Sequence, residues 1–385
     1  MNNFEYCNPT RIEFGRGKIA VLKDLLPPDC KVMLVYGGGS ILKNGVYNQV
    51  VSALKKVDFV EFSGIEANPK YETCMKAVEK VKANKVNFLL AVGGGSVLDA
   101  TKFIAAASVW DASDDPWDIL AKGYEINHAL PLGDVITLPA TGSEMNCNAV
   151  ISRISTQEKL PFASEYVYPK FSIIDPEVTC SLSDVQTANG IVDTFIHVCE
   201  QAITTDIETM LQDYMAFGVL RTLIREGSLV LKDPFDYNVR ANLFWSATIG
   251  LNGILGCGVE QDWSTHMIGH ELTAIYGLDH ARTLAVVMPA LWRYKKVAKR
   301  NKLAKLAREV FKINELDDME AADCAIRSTE RFFHSLGVYT KLSDYGINAE
   351  EAALEVKRRF DERNVVFGEH HDINGDAAYK ILLTC

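Results

Sequence analysis

In the first half of the chain apolar residues gather into short unbroken runs, Lys31–Tyr36, Asp58–Phe62 and 87–92, each the length of a buried strand. Between the second and third, residues 71–83 place Cys74, Ala77, Val78 and Val81 at helical spacing. Helical stretches are also expected after Ser40, to about residue 56, and from Ser96 through Ala107. Later strand signals fall at 134–138, 149–154 and Phe171–Ile174, the last closed by Asp175-Pro176. Strands alternating with helices imply right-handed crossovers and a mostly parallel sheet. From Ser183 the period changes. Helical patterns follow one another over 183–202, 207–226, 237–252, 263–275, 281–297, 301–311, 319–336, 349–360 and 377–383. We therefore expect an α/β domain over residues 1–182 and an all-helical domain over 183–385. Neither an internal repeat nor a low-complexity tract interrupts them.

Composition narrows the class. At 385 residues the chain exceeds the size at which one core keeps growing, and 48% apolar with 23% charged residues is ordinary for a globular protein. A net charge of −10 without any basic run argues against nucleic acid or an anionic membrane as partner. The first residues lack a secretory pattern, and no apolar run approaches the roughly 20 residues a bilayer requires. A cytoplasmic protein is expected. The nine scattered cysteines include no Cys-x-x-Cys, the pattern of reduced thiols serving as small apolar residues. Cys257 is read the same way, with a reactive thiol as the alternative.

Two turns stand out, Gly37-Gly38-Gly39-Ser40 and Gly93-Gly94-Gly95-Ser96, each ending an apolar run and opening a helix. Glycine there lets a ligand approach the backbone, and the amides at a helix start attract phosphate. Neither turn fits Gly-x-Gly-x-x-Gly, so the usual dinucleotide fingerprint is missing, and a purely structural turn is the alternative reading. A third stretch, Thr137-Leu138-Pro139-Ala140-Thr141-Gly142-Ser143-Glu144, ends another strand in hydroxyls. It offers donors along the same carboxyl edge of the sheet.

Three of the eight histidines lie between Gln261 and His280. His266 and His270 are one helical turn apart, with Trp263, Met267, Leu272 and Ile275 supplying the apolar spacing. Gly277-Leu278-Asp279 should end that helix and cap the next, which puts His280 at a helix start. Upstream, Asp193 and His197 form a second such pair in a helix opened by a Ser183-Asp184-Val185-Gln186 capping box. Five nitrogen and oxygen donors of this kind suit one divalent metal, although no His-Glu-x-x-His signature names the chemistry.

Together with Gly93-Gly94-Gly95-Ser96-Val97-Leu98-Asp99 and the quartet Asp193, His197, His266 and His280, these motifs resemble the iron-containing (group III) metal-dependent alcohol dehydrogenases. The resemblance runs from Pro9 to Asp372 and is strongest to the NADPH-dependent aldehyde reductases and butanol dehydrogenases within that family. It implies the dehydroquinate synthase-like fold: an α/β N-terminal dinucleotide-binding domain, an all-α C-terminal metal-binding domain, and a cleft between. Carried over by position, Asp193, His197, His266 and His280 match the metal ligands, and His270 a histidine just outside the metal shell. Gly94, Gly95 and Ser96 match the pyrophosphate contacts and Asp99 a residue near the nicotinamide, and Asp99 is expected, with His270, to be catalytic. Asn68 matches a contact at the adenosine end, and Thr137, Leu138, Thr141 and Lys159 match further cofactor contacts. NAD-preferring relatives place an Asp where this chain has Gly37, and its absence removes repulsion of a 2′-phosphate. Gly37, Gly38, Gly39 and Ser40, with nearby Lys43, are therefore expected to accept NADPH.

The implied reaction is reversible hydride transfer between NADPH and a small aldehyde or primary alcohol. Fe²⁺ is the expected metal, with Zn²⁺ or another divalent ion as substitute. A homodimer is expected, with residues 11–14 as a pairing edge. Met145-Asn146-Cys147-Asn148 and Cys257-Gly258-Val259-Glu260 depart from the family pattern, which bears on substrate range. The competing readings are a lyase of the same fold, which needs a Lys and Arg cluster not seen near the histidines, and a nucleotide- and metal-binding regulator without turnover.

Overall fold

The computed structural model describes residues 1–110 and 114–385. The chain divides into two compact units: residues 7–182 with 235–248, and residues 1–6 and 183–234 with 249–385. Segments 1–6 and 235–248 thus fall on the other side of a cut at 182/183. In the first unit Phe244 is fully buried in the sheet's core, and Thr248 Oγ1 donates to Glu144 Oε1 at 2.6 Å. Helical periodicity is expected over 237–252, and helix Tyr237–Gly250 forms there, but periodicity does not say which core receives its residues.

The first unit is built on a six-stranded parallel sheet. Its strands are β1 (Arg11–Phe14), β2 (Lys31–Tyr36), β3 (Asp58–Phe62), β4 (Phe88–Gly93), β5 (Leu132–Ile136) and β8 (Phe171–Ile174), in the order β1-β8-β5-β4-β2-β3. Both faces are covered, which is why β2 and β4 read as continuous apolar runs. Met33, Val35, Leu89 and Ala91 enter one core, and Val32, Leu34, Phe88, Leu90 and Val92 the other, as a period of two requires. Helix Gly95–Ser108 is buried along most of its length because Ala, Val, Leu and Phe surround its axis.

Two local expectations change. The 149–154 run leaves the main sheet: β6 (Asn148–Arg153) pairs antiparallel with β7 (Glu158–Ala163) as a separate ribbon. β7 escapes sequence reading because Pro161 interrupts it, and a two-stranded ribbon tolerates a missing N–H. The stretch after Ser40 forms two short helices, Ser40–Lys43 and Val46–Ala53, parted by Gly45 at φ 83°.

The second unit is helical. Helix Asp184–Ala202 starts at the expected capping box, with Ser183 Oγ accepting Gln186 N–H at 3.2 Å and Gln186 Oε1 accepting Ser183 N–H at 3.4 Å. Helix Ser264–Tyr276 begins one residue later than expected, because Trp263 is left-handed at φ 61°. It ends on Gly277 at φ 68°, and helix His280–Tyr294 follows. Asp279 stands at the cap of that helix, but its carboxylate accepts from Asn189 Nδ2 at 3.3 Å instead of capping an amide. Among the described residues no helix is long and apolar enough to cross a membrane, and every cysteine is a free thiol.

Candidate functional site

In the sheet unit the glycine-rich turn after β4 packs closely against the stretch after β5. β5 ends at Ile136 ahead of Pro139, while Thr137 N–H still donates to Gly93 O at 2.9 Å. A Cβ added at Gly95 would lie 2.3 Å from Thr141 Oγ1, and one at Gly94 would lie 3.3 Å from Leu138 Cβ. Thr137, Leu138 and Thr141 therefore gather around Gly94, Gly95 and Ser96 at the start of helix Gly95–Ser108. After β2, a Cβ at Gly37 would stand 3.1 Å from Ile65 O, whereas one at Gly38 would meet nothing within 4 Å. Gly39, left-handed at φ 98°, leads into Ser40. Asn68 and Lys159 also meet, Lys159 Nζ donating to Asn68 Oδ1 at 2.9 Å.

Asp99 has a definite job in this unit. Its Oδ1 accepts from Ser143 Oγ at 2.7 Å and its Oδ2 from Val150 N–H at 3.0 Å, so it ties the helix to the 141–150 segment. Burial raises its carboxyl. Lys102, not singled out from sequence, completes the brace. Its Nζ donates to Ser143 O, Asn146 O and Asn148 O at 2.7, 2.9 and 2.9 Å, and to Ser143 Oγ and Asn146 Oδ1 at 2.8 and 3.1 Å. Burial pulls this ammonium down to about 8, opposed first by the Asp99 charge. Five oxygen acceptors around one Nζ favour its protonated form. The available signal was a single lysine inside a helix that, Asp99 apart, is made of small and apolar residues. Asn146, in one of the stretches that depart from the family pattern, is thereby absorbed into structure.

In the helical unit Asp193 and His197 leave the Asp184–Ala202 helix one turn apart, both buried. Asp193 Oδ1 lies 3.7 Å from His197 Nε2 and 3.9 Å from His280 Nε2. One potential ligand atom each from Asp193, His266 and His280 fall within 4.8 Å of one another. The His197 and His266 rings stack at 4.7 Å, and His266 and His280 are 5.3 Å apart. The His270 ring lies 5.2 Å from that of His280 and 6.2 Å from that of His266.

These separations are too long for hydrogen bonds and match the spacing of donors around a cation, since bonds of about 2.0–2.2 Å set tetrahedral donors roughly 3.4 Å apart. Asp193 Oδ1 is buried and accepts no hydrogen bond among the described residues. One carboxylate and several imidazoles converging in a buried space fit a divalent cation of the nitrogen and oxygen type.

A carboxylate that sequence reading passed over supports this cluster. Glu200, three residues beyond His197 on the same helix face, contacts His266 Nδ1 through Oε2 and accepts Thr265 N–H at Oε1, 2.7 Å away. Burial, followed by the Asp262 charge, raises its carboxyl, opposed by the hydrogen bonds from Thr265 and by the His197 charge. Asp262 in turn meets the buried Lys299 at 2.9 Å, and Lys299 meets Glu369 at 2.7 Å. The Trp263 and His266 rings meet at 67°, with centroids 5.2 Å apart. Cys257 is buried and its thiol is pushed up by burial, as a packing residue should be.

Comparison with known proteins places both halves in one group. The family model described as iron-containing alcohol dehydrogenase matches residues 9–176, and the one described as Fe-containing alcohol dehydrogenase family, C-terminal, matches residues 187–384. The NADPH-dependent aldehyde reductase YqhD of Escherichia coli is 52% identical over 99% of both chains. A crystal structure of Escherichia coli YqhD superposes with a TM-score of 0.98 at 51% identity, covering 100% of this chain and 98% of that one. The NADH-dependent butanol dehydrogenase A of Thermotoga maritima gives a TM-score of 0.94 at 37% identity, covering 99% of this chain and 98% of that one.

Proposed function

The chain belongs to the iron-containing alcohol dehydrogenase family, and from that premise we propose that it is a metal-dependent oxidoreductase moving hydride between NADPH and small aldehydes or the matching primary alcohols. The observation that carries this reading is the convergence of ligand atoms from Asp193, His266 and His280 within 4.8 Å. His197, 3.7 Å from Asp193 Oδ1, completes the proposed ligand set, and Fe²⁺ is the proposed cation. When bound, the cation supplies Lewis acidity toward a carbonyl oxygen, and the reduced nicotinamide supplies the hydride.

The chain's own residues bind and orient. Gly94, Gly95 and Ser96, at the start of a 14-residue helix, present amides to the pyrophosphate. Thr137, Leu138 and Thr141 border it, while Asn68 and Lys159 hold the adenosine end. Gly38, Gly39, Ser40 and Lys43 receive the 2′-phosphate. Asp99 positions the 141–150 segment rather than acting as a base. His270 holds, on an imidazole nitrogen, the proton that the alcohol product gains. We place the enzyme in the cytoplasm as a homodimer pairing along β1, an edge strand of the sheet.

The decisive assay follows NADPH absorbance while a series of short aldehydes is added to protein loaded with Fe²⁺ or Zn²⁺. Oxidation of NADPH is expected, with kcat/KM exceeding that for NADH by about tenfold or more, equivalent to about 1.4 kcal/mol. Binding of NADPH and metal without turnover of any aldehyde would reduce the protein to a regulator. A preference for NADH would overturn the cofactor assignment.

A further inference from the structure

Asp193, His197 and Glu200 occupy successive turns of one face of the Asp184–Ala202 helix. The first two belong to the proposed ligand set, and the third reaches across to the helix that carries His266. Glu200 is only 3% exposed, and both its oxygens are engaged there, Oε2 with His266 Nδ1 and Oε1 with Thr265 N–H at 2.7 Å. Its backbone carbonyl accepts Asp262 N–H at 2.9 Å. The carboxylate therefore meets the second helix at its first turn, where the ring of His266 is aimed.

A neutral imidazole carries its proton on one nitrogen, and the partner of the other decides which. A carboxylate at Nδ1 selects the Nδ1–H tautomer and leaves the Nε2 lone pair to serve as ligand. The opposite tautomer would set a lone pair against Oε2 and a proton where a cation is to sit. We propose that Glu200 is a positioning residue of the metal centre, holding His266 in the tautomer and orientation that present Nε2 to the cation, and so setting metal affinity.

What lies behind Glu200 keeps it in place. Asp262 meets Lys299 Nζ at 2.9 Å, and that ammonium also meets Glu369 at 2.7 Å and Ile203 O at 2.7 Å, with 1% of the lysine side chain exposed. The ion triad anchors the 262–265 turn, in which Trp263 adopts its left-handed φ of 61°. The turn's position relative to Glu200 is thereby determined by buried charges rather than by solvent-exposed loop contacts. Carboxylates behind ligating histidines commonly contribute about 10- to 100-fold in metal affinity.

The proposal rests on Asp193, His197, His266 and His280 being the ligand set, and its test separates the two. Dissociation constants for Zn²⁺ and Co²⁺ are measured by chelator competition on full-length wild type, Glu200→Gln, Glu200→Asp and His280→Ala, with unfolding temperatures of the metal-free forms alongside. Glu200→Gln is expected to weaken both metals about 10- to 100-fold and to alter the Co²⁺ absorption bands, with little change in metal-free unfolding temperature. Glu200→Asp, which keeps the charge, should recover part of the loss. Wild-type metal affinity in Glu200→Gln with a lowered metal-free unfolding temperature would make Glu200 a helix cap only and overturn the proposal. Failure of wild type to bind either metal, or full binding by His280→Ala, would overturn the ligand reading itself and this inference with it. A measurement on wild type alone guards against a variant that does not fold. In ¹⁵N-histidine protein loaded with ¹¹³Cd²⁺, His266 should show cadmium coupling at Nε2 and a proton at Nδ1, and coupling at Nδ1 would refute the assignment.

Discussion

At Gly37 a single missing side chain bears on cofactor choice. A carboxylate there would stand beside the position proposed for the 2′-phosphate, where like charges repel. Gly37→Asp should lower the kcat/KM ratio of NADPH to NADH by about tenfold or more, roughly 1.4 kcal/mol. The ratio is the informative quantity, because the added Cβ lies 3.1 Å from Ile65 O and some loss with both cofactors is expected. An unchanged ratio would remove Gly37 from the selectivity argument. The histidines divide in the same manner. His280→Ala should lose bound metal by elemental analysis and with it nearly all activity. His270→Ala should keep its metal and lose about 10²- to 10⁴-fold in kcat, the usual worth of a general acid. A metal-free His270 variant would move that residue into the ligand set. Glu200 and Lys102 escaped sequence reading for one reason. A charged residue in a helix announces neither its burial nor its partner, and theirs come from segments 65 and more than 40 residues away.

The turn after β4 works as an element because the backbone at Gly95 and the Thr141 side chain occupy nearly the same space. Gly95→Ala puts a methyl 2.3 Å from Thr141 Oγ1, which must push the 137–143 stretch away from the start of the helix. NADPH affinity, followed by fluorescence titration, should fall by about tenfold or more, about 1.4 kcal/mol, while metal content stays at the wild-type level. Undiminished affinity would mean that this turn does not hold the cofactor. Most strands and helices were legible because buried strands and amphipathic helices carry their periods in the chain itself. The β6–β7 ribbon was not, since Pro161 masks the second strand and only pairing defines the first as something other than a sheet strand. Trp263 was misplaced within the helix for a similar reason, as a left-handed tryptophan has no signature in apolar spacing.

Across the whole molecule, the sheet unit buries carboxyls away from water. Burial raises Asp134 well above the ordinary carboxylate range, with its Oδ2 2.6 Å from Ser172 Oγ and with Glu144 and Lys102 as its charged neighbours. A group whose folded value is raised keeps its proton while the unfolded chain gives it up. Its contribution to stability is thus full below the ordinary carboxylate range and is lost as pH rises. Asp134→Asn imitates the protonated form, so its unfolding temperature should gain on wild type as pH rises above the ordinary carboxylate range. Parallel curves for the two proteins would show that Asp134 is ionised in the folded state.

Local pattern was enough for the alternation of strand and helix, the glycine turns at strand ends and the paired donors one helical turn apart. All of these depend on neighbours within a few residues. Long-range packing alone assigned the 235–248 segment to the sheet's core, turned Asp99 into a brace through Ser143 and Val150, and set Glu200 behind His266. Periodicity says which face of an element is apolar or charged. Which partner meets that face depends on how distant segments share one buried volume, and no local spacing carries that information.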